Sequence, residues 1–115
     1  MANSIINNYS SFTNVLSKFT FSITPETGLT SITQVGDHTL YINLLFTTPS
    51  TVTSDPILAY STSFDMGRCF VPMCEAYSGN VCGLINVNGN TIYLASNQWQ
   101  PSKRVVVHTV VNFLN

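Results

Sequence analysis

Charge is the scarcest commodity in this chain. Four Lys or Arg and five Asp or Glu stand among 115 residues, 8% in all, where ordinary soluble domains carry about 25%. Solubility must therefore rest on the hydroxyls and amides of Ser, Thr and Asn. The cations are Lys18, Arg68, Lys103 and Arg104, too few and too scattered to neutralise a phosphate backbone, so no nucleic-acid partner is expected. Long apolar runs are missing as well. The stretch Leu40 to Phe46 falls far short of the roughly 20 residues that cross a bilayer, so no membrane insertion is expected. The start Met1-Ala2-Asn3-Ser4 lacks the basic and apolar regions of a secretory signal, and the expectation is a soluble, unexported chain.

Cysteine is sparse and odd in number: Cys69, Cys74 and Cys82 cannot all pair within one chain, and they lack the paired C-x-x-C halves of a zinc site. Buried thiols are the expected state, with a Cys74 to Cys82 bridge across a hairpin as the alternative. Neither metal nor cofactor is expected. Catalytic signatures are absent too, with no G-x-S-x-G elbow, no H-E-x-x-H and no Gly-rich phosphate loop. Glu26, Asp37, Asp55, Asp65 and Glu75 are scattered over turns, and no spacing selects two of them as a glycosidase pair. The chain does not read as an enzyme.

Helical periodicity is lacking apart from a possible single turn near Phe12 to Leu16, and what is present is β pattern. Phe19, Phe21 and Ile23 alternate with Thr20 and Ser22, and Thr24-Pro25-Glu26-Thr27-Gly28 ends that strand. Ser31 to Val35 leads through a Gly36-Asp37 turn into Leu40, Ile42, Leu44 and Phe46. The interleaved Tyr41, Asn43 and Leu45 make that strand apolar on both faces, as expected of a core strand or one facing a neighbouring subunit. Pro49 and Pro56 bracket a loop or blunted edge strand. Extended patterns resume at Ile57 to Phe64 and at Phe70 to Tyr77. Asn88-Gly89 predicts a type I′ hairpin turn, pairing Val87 with Asn90, Asn86 with Thr91 and Ile85 with Ile92. A loop is expected from there through Trp99, followed by a closing strand, Val105 to Val111. Length allows one domain. The reading is an all-β, antiparallel, jelly-roll-like β-sandwich of seven to eight short strands with little helix. Residues 1–17 read as a lead-in segment and 18–115 as the sandwich.

Four pieces in order carry a resemblance: Val35-Gly36-Asp37 before Leu40 to Thr48, the central loop Ser63 to Pro72, the strand-turn-strand Leu84 to Leu94, and the closing strand Val105 to Phe113. With these the chain resembles the C-terminal head domain of tailed-phage tail fibres and baseplate receptor-binding proteins. It departs from that pattern in its central loop, which replaces a Pro-Glu-Gly-Phe-Arg-Pro run, and in its ending Asn112-Phe113-Leu114-Asn115. The resemblance implies a homotrimer in the virion tail, assembled in the host cytoplasm beside other virion tail proteins, that contacts a host cell-surface glycan. A structural trimerising cap without a receptor, or a cell-surface carbohydrate-binding adhesin module, are the alternatives.

Sugar recognition needs a flat ring beside amides, because a pyranose offers an apolar C–H face and a rim of hydroxyls. Trp99, with Asn97 and Gln98, is the first candidate for such a surface, against the alternative of a ring that caps the end of the core. Tyr77 beside Ser78 and Asn80 is a second. Asp65 and Arg68 flank Gly67, and the pair is expected either to shape that turn as a local ion pair or to hydrogen-bond a sugar or phosphate at a subunit cleft. His108 among valines reads as a core or interface histidine, and His38 as solvated.

Overall fold

The computed structural model of the chain describes residues 12–115. Nine strands account for it: β1 (Phe12–Asn14), β2 (Thr20–Phe21), β3 (Ser31–Val35), β4 (Thr39–Thr47), β5 (Ile57–Tyr60), β6 (Arg68–Glu75), β7 (Val81–Asn88), β8 (Thr91–Trp99) and β9 (Arg104–Asn112). The only helix among the described residues is two 3-10 turns, Leu16–Lys18 and Thr27–Leu29. The fold is all-β and every strand pair is antiparallel. Of the expected lead-in, residues 1–11 lie outside the described residues, while Phe12–Asn14 pairs with β3 and Val15 is buried in the core.

The strands run β1-β3-β4-β9-β6-β7-β8-β5-β2 in one continuous sheet. Two arms make it up, and they meet at a narrow seam where β6 and β9 share only the pairs Cys74 with Val106 and Glu75 with Val105. Period-two burial tells why the sheet must curl there. Leu40, Ile42, Leu44 and Phe46 of one arm and Ile85, Val87, Ile92 and Leu94 of the other are all buried in a single hydrophobic cluster, so the two inner faces close on each other. The outermost strands, β1 and β2, are joined by only the residues from Val15 to Phe19, and a chain extends at most about 3.6 Å per residue, so the two free edges of the sheet lie near each other. Phe64 locks this end: it stacks on Phe19 with centroids 5.8 Å apart and meets Phe113 edge-on at 4.9 Å.

Two expectations about the hairpin require correction. Asn88 pairs with Thr91 and Ile85 with Leu94, so the turn residues are Gly89 and Asn90, and only Gly89 has positive φ, at 62°. That pattern fits a type II′ turn, not I′. Tertiary hydrogen bonds select it: Gly89 N–H donates to the Gly67 carbonyl and Met66 N–H donates to the Gly89 carbonyl, each at 2.7 Å. The true register differs from the expected one by two residues, and a slip of two leaves every side chain on its expected face. The second correction lies downstream, where β8 does not end at Leu94 but continues as a strand to Trp99. Between Leu94 and Trp99 it bulges, since β7 pairs Ile85 with Leu94 and then Gly83 with Trp99. Gly83 permits the closure. A Cβ there would sit 2.7 Å from the Trp99 Cα and 2.5 Å from the Gln98 carbonyl oxygen.

Candidate functional site

The structure scatters the residues singled out from the sequence. Trp99 is not displayed on a loop: it lies in β8, 6% exposed, within the core cluster, and so takes the core-capping place. Its indole N–H is buried without a hydrogen-bond partner. Gln98 is exposed beside it, and the Asn97 side chain lies outside the described residues. Tyr77 is 87% exposed, far along β6 in the turn that follows it, with its ring 5.5 Å from the Arg104 guanidinium carbon. Arg104 is already engaged. Its Nε and Nη2 donate to the two carboxylate oxygens of Glu26 at 2.8 and 2.9 Å, which holds the Glu26 carboxyl below its usual range and raises the guanidinium. Nearby, Glu75 accepts from Ser78 and pairs with Lys103 at 3.3 Å, and its carboxyl is lowered by both.

Asp65 and Arg68 form no ion pair. The Asp65 carboxylate instead accepts from the Gly67 N–H at 3.2 Å, a short-range bond that shapes the turn without help from Arg68. Asp65 borders a cavity of about 330 Å³ with Phe64, Asn90 and Asn115, whereas Arg68 points to the outer face of β6. The cysteines are free thiols, and burial raises Cys69 and Cys82.

What the fold does bring together is an outer-face surface on the β6-β7-β8-β5 arm. Cross-strand register aligns Phe70, Asn86, Tyr93 and Ile57 in one row and Arg68, Asn88, Thr91 and Tyr60 in the next. Both rows face outward because the residues between them, Val87 and Ile92, are fully buried. Phe70 is 62% exposed, Tyr60 40% and Ile57 41%. The β8 bulge supplies the remaining wall. Pro56 O accepts the Leu94 N–H, the Asp55 carboxylate accepts the Ser96 N–H at 2.9 Å, and Ser54 and Ser96 hydroxyls meet at 3.1 Å. These bonds bring Asp55, at φ 48°, to the rim of a cavity of about 270 Å³ that it lines with Asn86, Asn88 and Tyr93. The Asn86 Oδ1 is shielded there and has no partner within the chain.

The cavity offers the Asp55 carboxylate, the Asn86 and Asn88 amides and the Tyr93 phenol ring, flanked by exposed Phe70 and Tyr60. Chemically it can exchange hydrogen bonds with a hydroxyl rim while a ring covers an apolar face. Sequence reading missed it because its members come from three segments, the stretch before β5, β7 and β8, and form no contiguous motif. The one available signal was alternation: Asn86, Asn88, Thr91 and Tyr93 occupy the outward parity of a hairpin whose inward positions are Val and Ile. Among the described residues no cluster of His, Cys, Asp and Glu suits a metal ion. Comparison with known proteins found no matching family model, no matching curated protein and no matching solved structure.

Proposed function

We propose that this chain is a host-recognition head domain of a virion tail fibre or baseplate receptor-binding protein, which binds a host-surface saccharide as a homotrimer. The virion assignment rests on the ordered motifs of the sequence. The saccharide assignment is carried by one observation, the outward platform in which Asp55, Asn86, Asn88 and Tyr93 ring a cavity of about 270 Å³ beside exposed Phe70 and Tyr60. The carboxylate and amides around the cavity favour a ligand with a rim of hydroxyls, and the exposed rings favour one with an apolar face. The reading therefore takes this platform as the ligand site instead of Trp99, which is enclosed.

A glycan array with the purified protein tests the reading. Binding to a defined saccharide is expected, with about a fivefold or greater loss for Tyr93→Ala and for Asn86→Ala, since a ring contact and a hydrogen bond each contribute on the order of 1 kcal/mol or more. Both variants keep the parent circular dichroism spectrum. Undiminished binding by both variants removes the platform from recognition, and no binding by the parent protein favours the structural cap.

A further inference from the structure

The outward side of the other arm, β1-β3-β4-β9, has an unusual composition. Register places Phe12 beside Val35 and Thr39, Asn14 beside Thr33, Tyr41 and Val110, and Ser31 beside Asn43 and His108, while Leu45 adjoins Val106. No Asp, Glu, Lys or Arg occupies this surface from β1 across to β9, except Arg104 at its end, and Arg104 is bonded to Glu26. The charges without an ion pair lie off the face, with Lys18 in the Leu16–Lys18 turn over the Phe64 ring, Asp37 in the β3–β4 turn, and Asp55, Asp65 and Arg68 on the opposite arm. Apart from Leu45, which is 4% exposed and bonded through its backbone to Glu26 and Thr30, the face is open. Tyr41 is 45% exposed, Val110 53%, Val106 38% and Phe12 59%.

We infer that this charge-free face is where a second copy of the chain packs. The inference deepens the assembly part of the reading above and uses nothing of its saccharide part. Two arguments select a copy of this chain over another occupant. A surface with no net-charged side chain brings no like charges together when copies converge on it about a shared threefold axis, and its hydroxyl and amide groups are donors and acceptors at once. It has nothing to offer a strongly acidic or basic partner. The second argument is size. The four strands hold 3, 5, 9 and 9 residues, which at about 3.4 Å per residue and 4.8 Å per strand give about 400 Å² in projection, and side-chain relief raises that to the scale of a weak contact of under about 600 Å² per partner. Relief is present: a groove of about 410 Å³ runs between His108, Asn43 and Val106 on one side and the Thr27–Leu29 turn on the other, with Leu29 standing 66% exposed at its lip.

Light scattering coupled to size exclusion, at about 100 μM where micromolar self-association is populated, tests the inference on the whole chain. The parent is expected to show at least twice the 12.6 kDa subunit mass. Val110→Lys and, separately, Thr33→Lys place like charges on the apposed surfaces and are expected to return the single-subunit mass with an unchanged circular dichroism spectrum. Phe70→Lys, on the opposite arm, is expected to keep the parent mass. A parent that runs as one subunit overturns the inference together with the assembly reading, although saccharide binding by that monomer would leave the recognition reading intact. An assembled parent whose two lysine variants stay assembled overturns the choice of face alone. If Val110→Lys does not fold, Thr33→Lys decides, because Thr33 is partly exposed and its side chain leaves no cavity.

Discussion

Trp99 carries a tension between packing and polarity. The ring is enclosed in the core cluster, so its truncation opens a cavity, while its N–H is enclosed without a partner, so its polar atom is a cost. Trp99→Ala is expected to lower stability by about 3 to 5 kcal/mol, in line with large aromatic truncations in cores. Trp99→Phe is expected to cost far less, because removing an unsatisfied buried donor returns about 1 to 3 kcal/mol against the smaller cavity. Denaturant midpoints at constant slope measure both. An alanine variant as stable as the parent would contradict the core placement. The same residue shows a limit of sequence reading: amide neighbours at Asn97, Gln98 and Gln100 suggest a displayed loop, and only the Gly83 gap, across the hairpin, draws the ring inward.

At the level of elements, the Glu26–Arg104 pair ties the segment before β3 to the start of β9, alongside the Glu26 N–H bond to the Leu45 carbonyl at 2.8 Å. Both partners are more than a third exposed, so screening keeps the contribution small. Its sign is nevertheless fixed. The folded carboxyl of Glu26 lies below the ordinary 4.5, and so does that of Glu75, so their stabilisation is present above that pH and is lost as pH falls through the folded values. Urea midpoints are expected to drop less between about pH 5 and pH 3 in a Glu26→Gln, Glu75→Gln double variant than in the parent. An equal drop would assign the acid sensitivity to other groups. The elements themselves were largely legible. Gly36-Asp37, Asn88-Gly89 and the alternation of Leu40 to Phe46 mark strands and turns by local chemistry, and parity assigned the inward residues correctly even where the register slipped. The continuation of β8, the Asp55 rim and the choice of turn type were not legible, because each is settled by hydrogen bonds from distant segments: 54–56 for the bulge and 66–67 for the turn.

For the molecule as a whole, the two arms divide the labour in the proposed reading. One outward face is aromatic and amide-rich with a carboxylate at its rim, and the other is free of charge, while the narrow β6–β9 seam sets them on opposite sides of one core. On that reading, the saccharide platform faces away from the proposed neighbouring copies. Refolding is expected to be slow for so small a chain, in about milliseconds to seconds, since sheets dominated by distant pairings close their loops before they gain contacts. Stopped-flow refolding complete within tens of microseconds would contradict it.

The pairing of β4 with β9, from Thr39 opposite Asn112 to Thr47 opposite Arg104, also has a consequence during synthesis. A ribosome adds about 5 to 20 residues per second, so β4 waits several seconds after its own emergence before β9 exists to cover its edge. Through that interval the nascent β3–β4 hairpin presents Leu40, Ile42, Leu44 and Phe46 with neither their β9 partners nor the opposing arm in place. The inner face of β4 therefore stays open to solvent until the valines of β9 are delivered.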